Sequence, residues 1–287
     1  MLKRLALFAS TLLLALAASA ADVKRSITDL GNDIYRFQND THHAVFIVGK
    51  HSILMTDPIN ADAARWLKAQ VDKRFGRLPV SYLVYSHNHG DHVFGGEVWK
   101  EAGTHVIAHE KAAADLVRNR APTALPTQTF SDRMTIDFEG RPIELRYHGP
   151  NNGAGSISML VPDAKFLFVV DWIVLKRLPW KELYYYNLDG MIVSLREALQ
   201  MDFDQVAPGH GPVGAKADVR EFLSYLEDLR AAVLDGMNQG KPLAQLQKEI
   251  RLDKYASYAS YQEWLPLNIK GAYEQLARTS GRFGQDK

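Results

Sequence analysis

His87-Asn88-His89-Gly90-Asp91-His92 places three imidazoles and one carboxylate within six residues of a chain that has ten histidines in all. The apolar run Tyr82-Leu83-Val84-Tyr85 just before it reads as a short buried strand, so the hexapeptide sits on the loop where that strand ends. Side chains at i and i+2 of an extended segment point the same way, which sets His87 beside His89. Beyond the turn at Gly90, Asp91 and His92 can face back toward that pair. Neutral imidazole and carboxylate are the ligand types of zinc and related first-row metals, and four such positions at this spacing are a specific signal.

On either side of the hexapeptide, strand and helix patterns alternate. Residues 32–38, 44–49 and 52–56 are short β-rich runs divided by turn residues. Asp57-Pro58 breaks the last of them, and 61–75 has helical periodicity with Ala64, Leu67 and Val71 on one face. A short helix after Gly95-Gly96, a strand over 104–108 and a helix over 110–118 follow. A Pro- and Thr-containing connection, 121–129, separates two comparable halves. The second half offers strands at 134–138, 143–147, 156–161 and 166–170. An aromatic loop, 172–187, then leads to a helix at 191–201 and a strand at 205–207. From Lys216 the chain is helical, with a break at Gly240-Lys241-Pro242. This order predicts an α/β fold of two facing sheets with helices outside, a four-layer αβ/βα sandwich with extra C-terminal helices. The expected divisions are a signal peptide over 1–20, the sandwich domain over 21–214 and a helical extension over 215–287 packed on the same domain.

The chain has 287 residues, 46% hydrophobic and 23% charged, enough for a sizeable core. The formal net charge is +1 with no polybasic tract, which argues against nucleic acid or an anionic membrane as partner and leaves a small-molecule substrate. Lys3 and Arg4 precede an apolar stretch that closes in Ala18-Ser19-Ala20, the form of a secretory signal with cleavage after Ala20. An uncleaved anchor is the alternative, but the apolar stretch is too short to span a bilayer comfortably. The chain has no cysteine, so disulfides, thiolate ligands and a thiol-linked lipid are excluded, and no stable membrane anchor is expected after cleavage. A periplasmic or secreted location follows.

Three more segments lie where strands end: Gly149-Pro150-Asn151-Asn152-Gly153-Ala154-Gly155-Ser156, Asp171 after Phe166-Leu167-Phe168-Val169-Val170, and His210 in Pro208-Gly209-His210-Gly211-Pro212. With the hexapeptide they resemble the metallo-β-lactamase superfamily, in order and approximate spacing from Asp57 to His210. The resemblance implies a dinuclear metal centre. His87 and His89 correspond to ligands of the first metal, Asp91, His92 and His210 to ligands of the second, and Asp171 to the bridge. Asp57 corresponds to a structural aspartate behind the site, or is simply a strand-ending turn residue. The family's third histidine of the first metal falls on Asn152, whose neutral carbonyl oxygen is a poor replacement for imidazole. His148 is either a substitute ligand or a structural residue. Zinc is therefore expected with one metal held tightly, in a three-ligand second site with an open position, and a second held more weakly.

The other histidines, His42, His43, His51, His105 and His109, lie outside the pattern and are taken as solvent-facing or packing residues. Trp172, Trp180, Tyr184, Tyr185 and Tyr186 form either a substrate pocket, with Trp172, Trp180 and Tyr185 as its lining, or a local hydrophobic cluster. The resemblance implies a hydrolase that uses a metal-bound hydroxide on a lactone, thioester, ester or β-lactam carbonyl. Asp91 is then the catalytic residue, orienting the nucleophile or carrying its proton. The alternative is a metal-binding accessory protein of the same fold with little or no activity. The exported form should begin at Ala21 or Asp22. N-terminal sequencing of soluble protein from a Gram-negative host checks this, and retention of Met1 would refute it.

Overall fold

The computed structural model describes residues 23–279, so the signal peptide expected over 1–20 lies outside the described residues. The first half starts as an antiparallel meander because its turns are short: β1 (Arg25–Asp29), β2 (Ile34–Asn39), β3 (His42–Val48) and β4 (Ile53–Thr56) pair in sequence. From β4 onward the connections are helical and the sheet becomes parallel through β5 (Val80–Val84), β6 (His105–His109) and β7 (Gln128–Phe130). α1 (Ala61–Phe75) makes the first crossover. Asn60 caps it by accepting from the Asp62 and Ala63 amides, and it ends at Gly76, whose φ of 80° suits glycine. The one-turn helices α2 (Gly90–Val93) and α3 (Gly96–Trp99) and then α4 (Glu110–Arg118) complete this layer.

The second sheet has the order β13-β12-β11-β10-β9-β8. Its strands are β8 (Arg133–Phe138), β9 (Arg141–Tyr147), β10 (Ile157–Val161), β11 (Phe166–Val169), β12 (Gln205–Pro208) and β13 (Gly214–Ala215). β11 and β12 are parallel, with α5 (Leu188–Ala198) in the crossover. Side-chain alternation builds the layers. Val45, Leu54, Val84 and Ile107 face Phe138, Leu145, Met159 and Phe168 between the sheets. Their neighbours Phe46, Met55, Leu83 and Val106 face α1, α3 and α4 instead. This is the four-layer αβ/βα sandwich.

Beyond it come α6 (Lys216–Asn238), α7 (Leu243–Glu249) and α8 (Tyr261–Thr279). Phe222, Leu226 and Leu229 of α6 and Leu265 and Ile269 of α8 share one buried cluster with Leu160 and Leu167 of the second sheet. Asn268 is fully buried in it. Its amide donates to the carbonyls of Pro179 (3.0 Å) and Lys181 (2.7 Å), and its oxygen accepts from the Tyr225 hydroxyl (2.6 Å). The last helix thereby fastens the 172–187 loop.

Several details depart from the sequence reading. β1, β7 and β13 were not anticipated; each is an edge or a stub with too few residues to show a period. α5 begins at Leu188, where the Asn187 side chain accepts from the Gly190 amide, and stops at Ala198. Residues 90–93 form a helical turn rather than a simple glycine reversal.

His148 is part of the framework. Its ring nitrogens lie 3.2 Å from a Glu197 carboxylate oxygen and 2.8 Å from the Ser158 hydroxyl, so neither is free for a metal, which corrects its proposed part as a substitute ligand. Burial holds its pKa down to about 4, against the pull of Glu197 and with a push from Arg146. Because the folded value lies below the ordinary 6.5, the unfolded chain takes the proton first as pH falls. The stability linked to neutral His148 is whole above about pH 6.5 and is lost as pH falls toward 4. His148→Gln should lose less stability than the wild type between pH 7 and 4.5. Urea midpoints at the two pH values measure this, and equal losses would remove His148 from the acid response.

Candidate metal centre

Three loops at one end of the sandwich converge on Asp171. A bent segment after β5 carries His87 and leads to His89, which is extended, and the helical turn α2 swings Asp91 and His92 back beside them. β11 delivers Asp171 with φ 67°, and β12 delivers His210. Asp171 Oδ2 lies 3.2 Å from His87 Nε2 and 3.2 Å from His89 Nδ1. Its Oδ1 lies 3.2 Å from His210 Nε2 and 3.5 Å from His92 Nε2. Burial works against the charge of Asp171, but His92, His210, His87 and His89 together hold its carboxyl well below the usual range. His92 responds in the opposite direction. Burial lowers it, yet Asp171, Asp57 and Asp91 carry it up to about 9. His87, buried and beside His89, is held down to about 4.

Neighbouring groups fix the rings. His87 Nδ1 is 2.7 Å from the Ser86 hydroxyl, and His210 Nδ1 donates to the Thr41 carbonyl at 2.8 Å, so both Nε2 atoms face the centre. Asp57 stands behind His92: it is fully buried, accepts from the Ser86 amide at 2.8 Å, and places Oδ2 3.9 Å from His92 Nδ1. Burial pushes its pKa up to about 6, with His92 opposing. Arg36 donates to the carbonyls of Pro208 (3.0 Å) and Gly211 (2.6 Å) and holds the His210 turn in place. The glycine-rich turn fits over His87 and His89 with no room to spare. Gly153 has φ 57°, and a Cβ there would stand 2.8 Å from His89 Nε2 and 2.8 Å from Asn88 Oδ1.

The donor set fits a metal. His87 Nε2, Asn152 Oδ1 and Asp171 Oδ1 are buried without a hydrogen-bond partner. Leaving such an atom unsatisfied costs about 1–3 kcal/mol, which a cation held by His87 and Asp171 would offset. One ligand atom each from His87, His92 and Asp171, and one each from His42, Asp91, His92 and His210, form two groups whose atoms lie within 4.8 Å of one another.

His42 was read as lying outside the pattern. The structure puts its Nε2 3.0 Å from Asp91 Oδ2 and its ring beside His210. The doublet His42-His43 on a strand sends one ring to each face, but sequence does not say which face meets His210. His43 is the buried partner, with Nδ1 3.3 Å from the Gly209 carbonyl, and His109 packs under the glycine turn and caps α4, while His51 and His105 are exposed.

Above Asp171 opens a cavity of about 670 Å³ walled by Arg177, Trp180, Tyr185, Tyr186 and Trp264. Trp180 and Tyr185 therefore line it. Trp172 does not: it is fully buried and donates to the Ile157 carbonyl at 3.3 Å, so it belongs to the core. Arg177 and Trp264 had no sequence signal, since one lies inside the aromatic loop and the other comes from α8.

A family model described as the metallo-beta-lactamase superfamily matches residues 40–210. The alpha and beta subunits of 2,4-dinitroanisole O-demethylase from Nocardioides sp. are each 24% identical, over 210 and 215 residues, or 72% of this chain. The match spans 64% and 65% of their own length, a little under two thirds. Among solved structures, a metallo-beta-lactamase from Pontibacter korlensis superposes with a TM-score of 0.63 at 20% identity, covering 71% of this chain and 99% of that one. The DIM-1 metallo-beta-lactamase does so at 0.61 and 19%, covering 71% and 97%. These structural likenesses show the fold.

Asn152, whose Oδ1 is buried without a hydrogen-bond partner, is the residue on which the family resemblance places the third imidazole of the first position. Dialysed wild-type protein should keep close to one metal per chain, and Asn152→His should raise the content toward two. Metal analysis of both proteins in parallel checks this; two metals held by the wild type would show that Asn152 is a sufficient ligand.

Proposed function

The chain belongs to the metallo-β-lactamase superfamily, and from this we propose that it is an exported, zinc-dependent hydrolase acting on a small aromatic ester-like substrate. The observation that carries the reading is the single carboxylate of Asp171 with four imidazoles around it at the floor of an aromatic-walled cavity. When bound, zinc would supply a water of lowered pKa and polarise the scissile carbonyl. His87, His89, Asp91, His92, Asp171 and His210 would hold it, with Asn152 as a weaker oxygen donor. The net change adds water across the acyl–oxygen bond, so the acyl carbon gains OH and the leaving oxygen gains H.

Asp91 is placed to carry that proton. Its side chain is 55% exposed at the cavity edge, and His42 and His92 hold it ionised below the usual carboxylate range although burial opposes them. Tyr185, with its ring 4.9 Å from that of His89, offers a face for an aromatic group. Arg177 offers a charge. Its guanidinium packs over Trp264 at 5.1 Å, makes no salt bridge among the described residues, and leaves Nε without a hydrogen-bond partner. An acidic or nitro substituent on the substrate ring would satisfy it. The relatives named as 2,4-dinitroanisole O-demethylase subunits favour a second substrate class, an activated aryl methyl ether, for which the net change adds water across the ether carbon–oxygen bond to give a phenol and methanol.

A panel of aryl esters, lactones, thioesters, β-lactams and a nitroaryl methyl ether tests the proposal on purified protein. Hydrolysis of at least one aromatic member is expected, and Asp91→Asn should slow it by roughly 10²-fold or more. Arg177→Met should raise KM about 10-fold for a ring bearing an acidic group while leaving the neutral ring alone. Metal-loaded protein inert toward the whole panel would favour the accessory-protein alternative.

A further inference from the structure

The geometry points to His42 as a fourth protein ligand of the second metal position, joining Asp91, His92 and His210; this rests on the metal-dependent reading above. His42 opens β3 at the β2–β3 hairpin, and that hairpin is joined to the His210 turn at two points. The Thr41 carbonyl accepts from His210 Nδ1 at 2.8 Å, and the His43 amide donates to the Gly209 carbonyl at 2.8 Å. The backbone on both sides of His42 is therefore anchored to the loop that carries an expected ligand. His42 is not a freely moving surface side chain.

The distances fit a coordination shell. A zinc ligand atom sits about 2.0–2.1 Å from the metal, which puts tetrahedral neighbours roughly 3.3 Å apart. His42 Nε2 and Asp91 Oδ2 are 3.0 Å apart, His92 Nε2 and His210 Nε2 are 3.2 Å apart, and His92 Nε2 and Asp91 Oδ2 are 3.8 Å apart. The His42 ring is 4.7 Å from that of His210 and 5.4 Å from that of His92. An ordinary surface pair of His42 with Asp91 would contribute about 0–1 kcal/mol and would not require two further imidazoles to turn their Nε2 atoms to the same point. A shared cation gives all four atoms one centre.

Asn152 and His42 then describe one redistribution. The first position has given up an imidazole and the second has gained one. Four protein ligands besides the bridging Asp171 close the second position in the manner of a tightly retained metal, and the open coordination that substrate needs falls to the first position, over His87 and His89. The three-ligand, open second site implied by the family resemblance is replaced by this assignment.

The absence of cysteine from the chain gives a direct test, because His42→Cys introduces the sole thiol. Wild type, His42→Ala and His42→Cys are loaded with cobalt(II) and dialysed, and cobalt per chain and absorption spectra are recorded. The expected results are a 10- to 100-fold or greater loss of affinity at one position in His42→Ala, and a new near-ultraviolet thiolate-to-cobalt charge-transfer band in His42→Cys. Cobalt-loaded His42→Cys without that band, with a thiol that titrates as free, overturns the assignment even if His42→Ala folds poorly. Unchanged affinity in His42→Ala overturns it as well. Wild type that retains no metal overturns this inference together with the metal-dependent reading, whereas loaded wild type with silent His42 variants overturns the ligand assignment alone.

Discussion

Four imidazoles share the Asp171 carboxylate, and the arrangement of the molecule follows from keeping them within 3.2–3.5 Å of it. The partners come from different sheets. His87, His89 and His92 follow β5 of the first sheet, while Asp171 and His210 follow β11 and β12 of the second. The spacing between the sheets is set by side chains such as Val84, Ile107, Met159 and Phe168, so the apolar filling also sets the ligand distances. Asp171 sits at φ 67°, a left-handed conformation that aspartate adopts more readily than most residues but still at a cost. Such strain persists where surrounding contacts over-determine the position, and here the four rings and the buried strand before it do so.

Much of this was legible in the sequence, for an identifiable reason. Parallel strands joined by helical crossovers end on the same side, so the hexapeptide after β5, Asp171 after β11 and His210 after β12 had to meet once the alternation of elements was recognised. What escaped depends on facts that no local pattern carries. His42 and His43 are equivalent in sequence, and only the pairing of β3 against the His210 turn separates the ring at the centre from the ring in the core. Trp172 follows Asp171 and invites assignment to the cavity. The left-handed turn at Asp171 instead folds the chain back, with the Trp172 amide bonded to the Val170 carbonyl at 2.8 Å, and buries the indole. His148 shows the converse: a histidine near the glycine turn whose two nitrogens are both used by the framework.

The cavity wall is built differently from its floor. The floor consists of short loops at strand ends. The wall is the 172–187 loop, shaped from outside by α8 through Asn268 and through the close approach of Gly271, where a Cβ would collide with the Glu182 carbonyl. No helix among the described residues is long and apolar enough to cross a membrane, and α6–α8 spend their apolar faces on this packing. Arg177 and Trp264 meet over the floor only because the two segments are held together.

The separation of wall and floor into different packing layers has a dynamic consequence. Floor residues hang on the inter-sheet layer, whereas the wall depends on the cluster shared by α5, α6 and α8. Layers with their own cores can open as separate cooperative units, each with its own free energy. A fluctuation that loosens α8 would release the loop and bare the floor while the imidazoles stayed in register around Asp171. Access to the cavity and the spacing of the imidazoles are thus governed by different parts of the molecule, and one can change without disturbing the other.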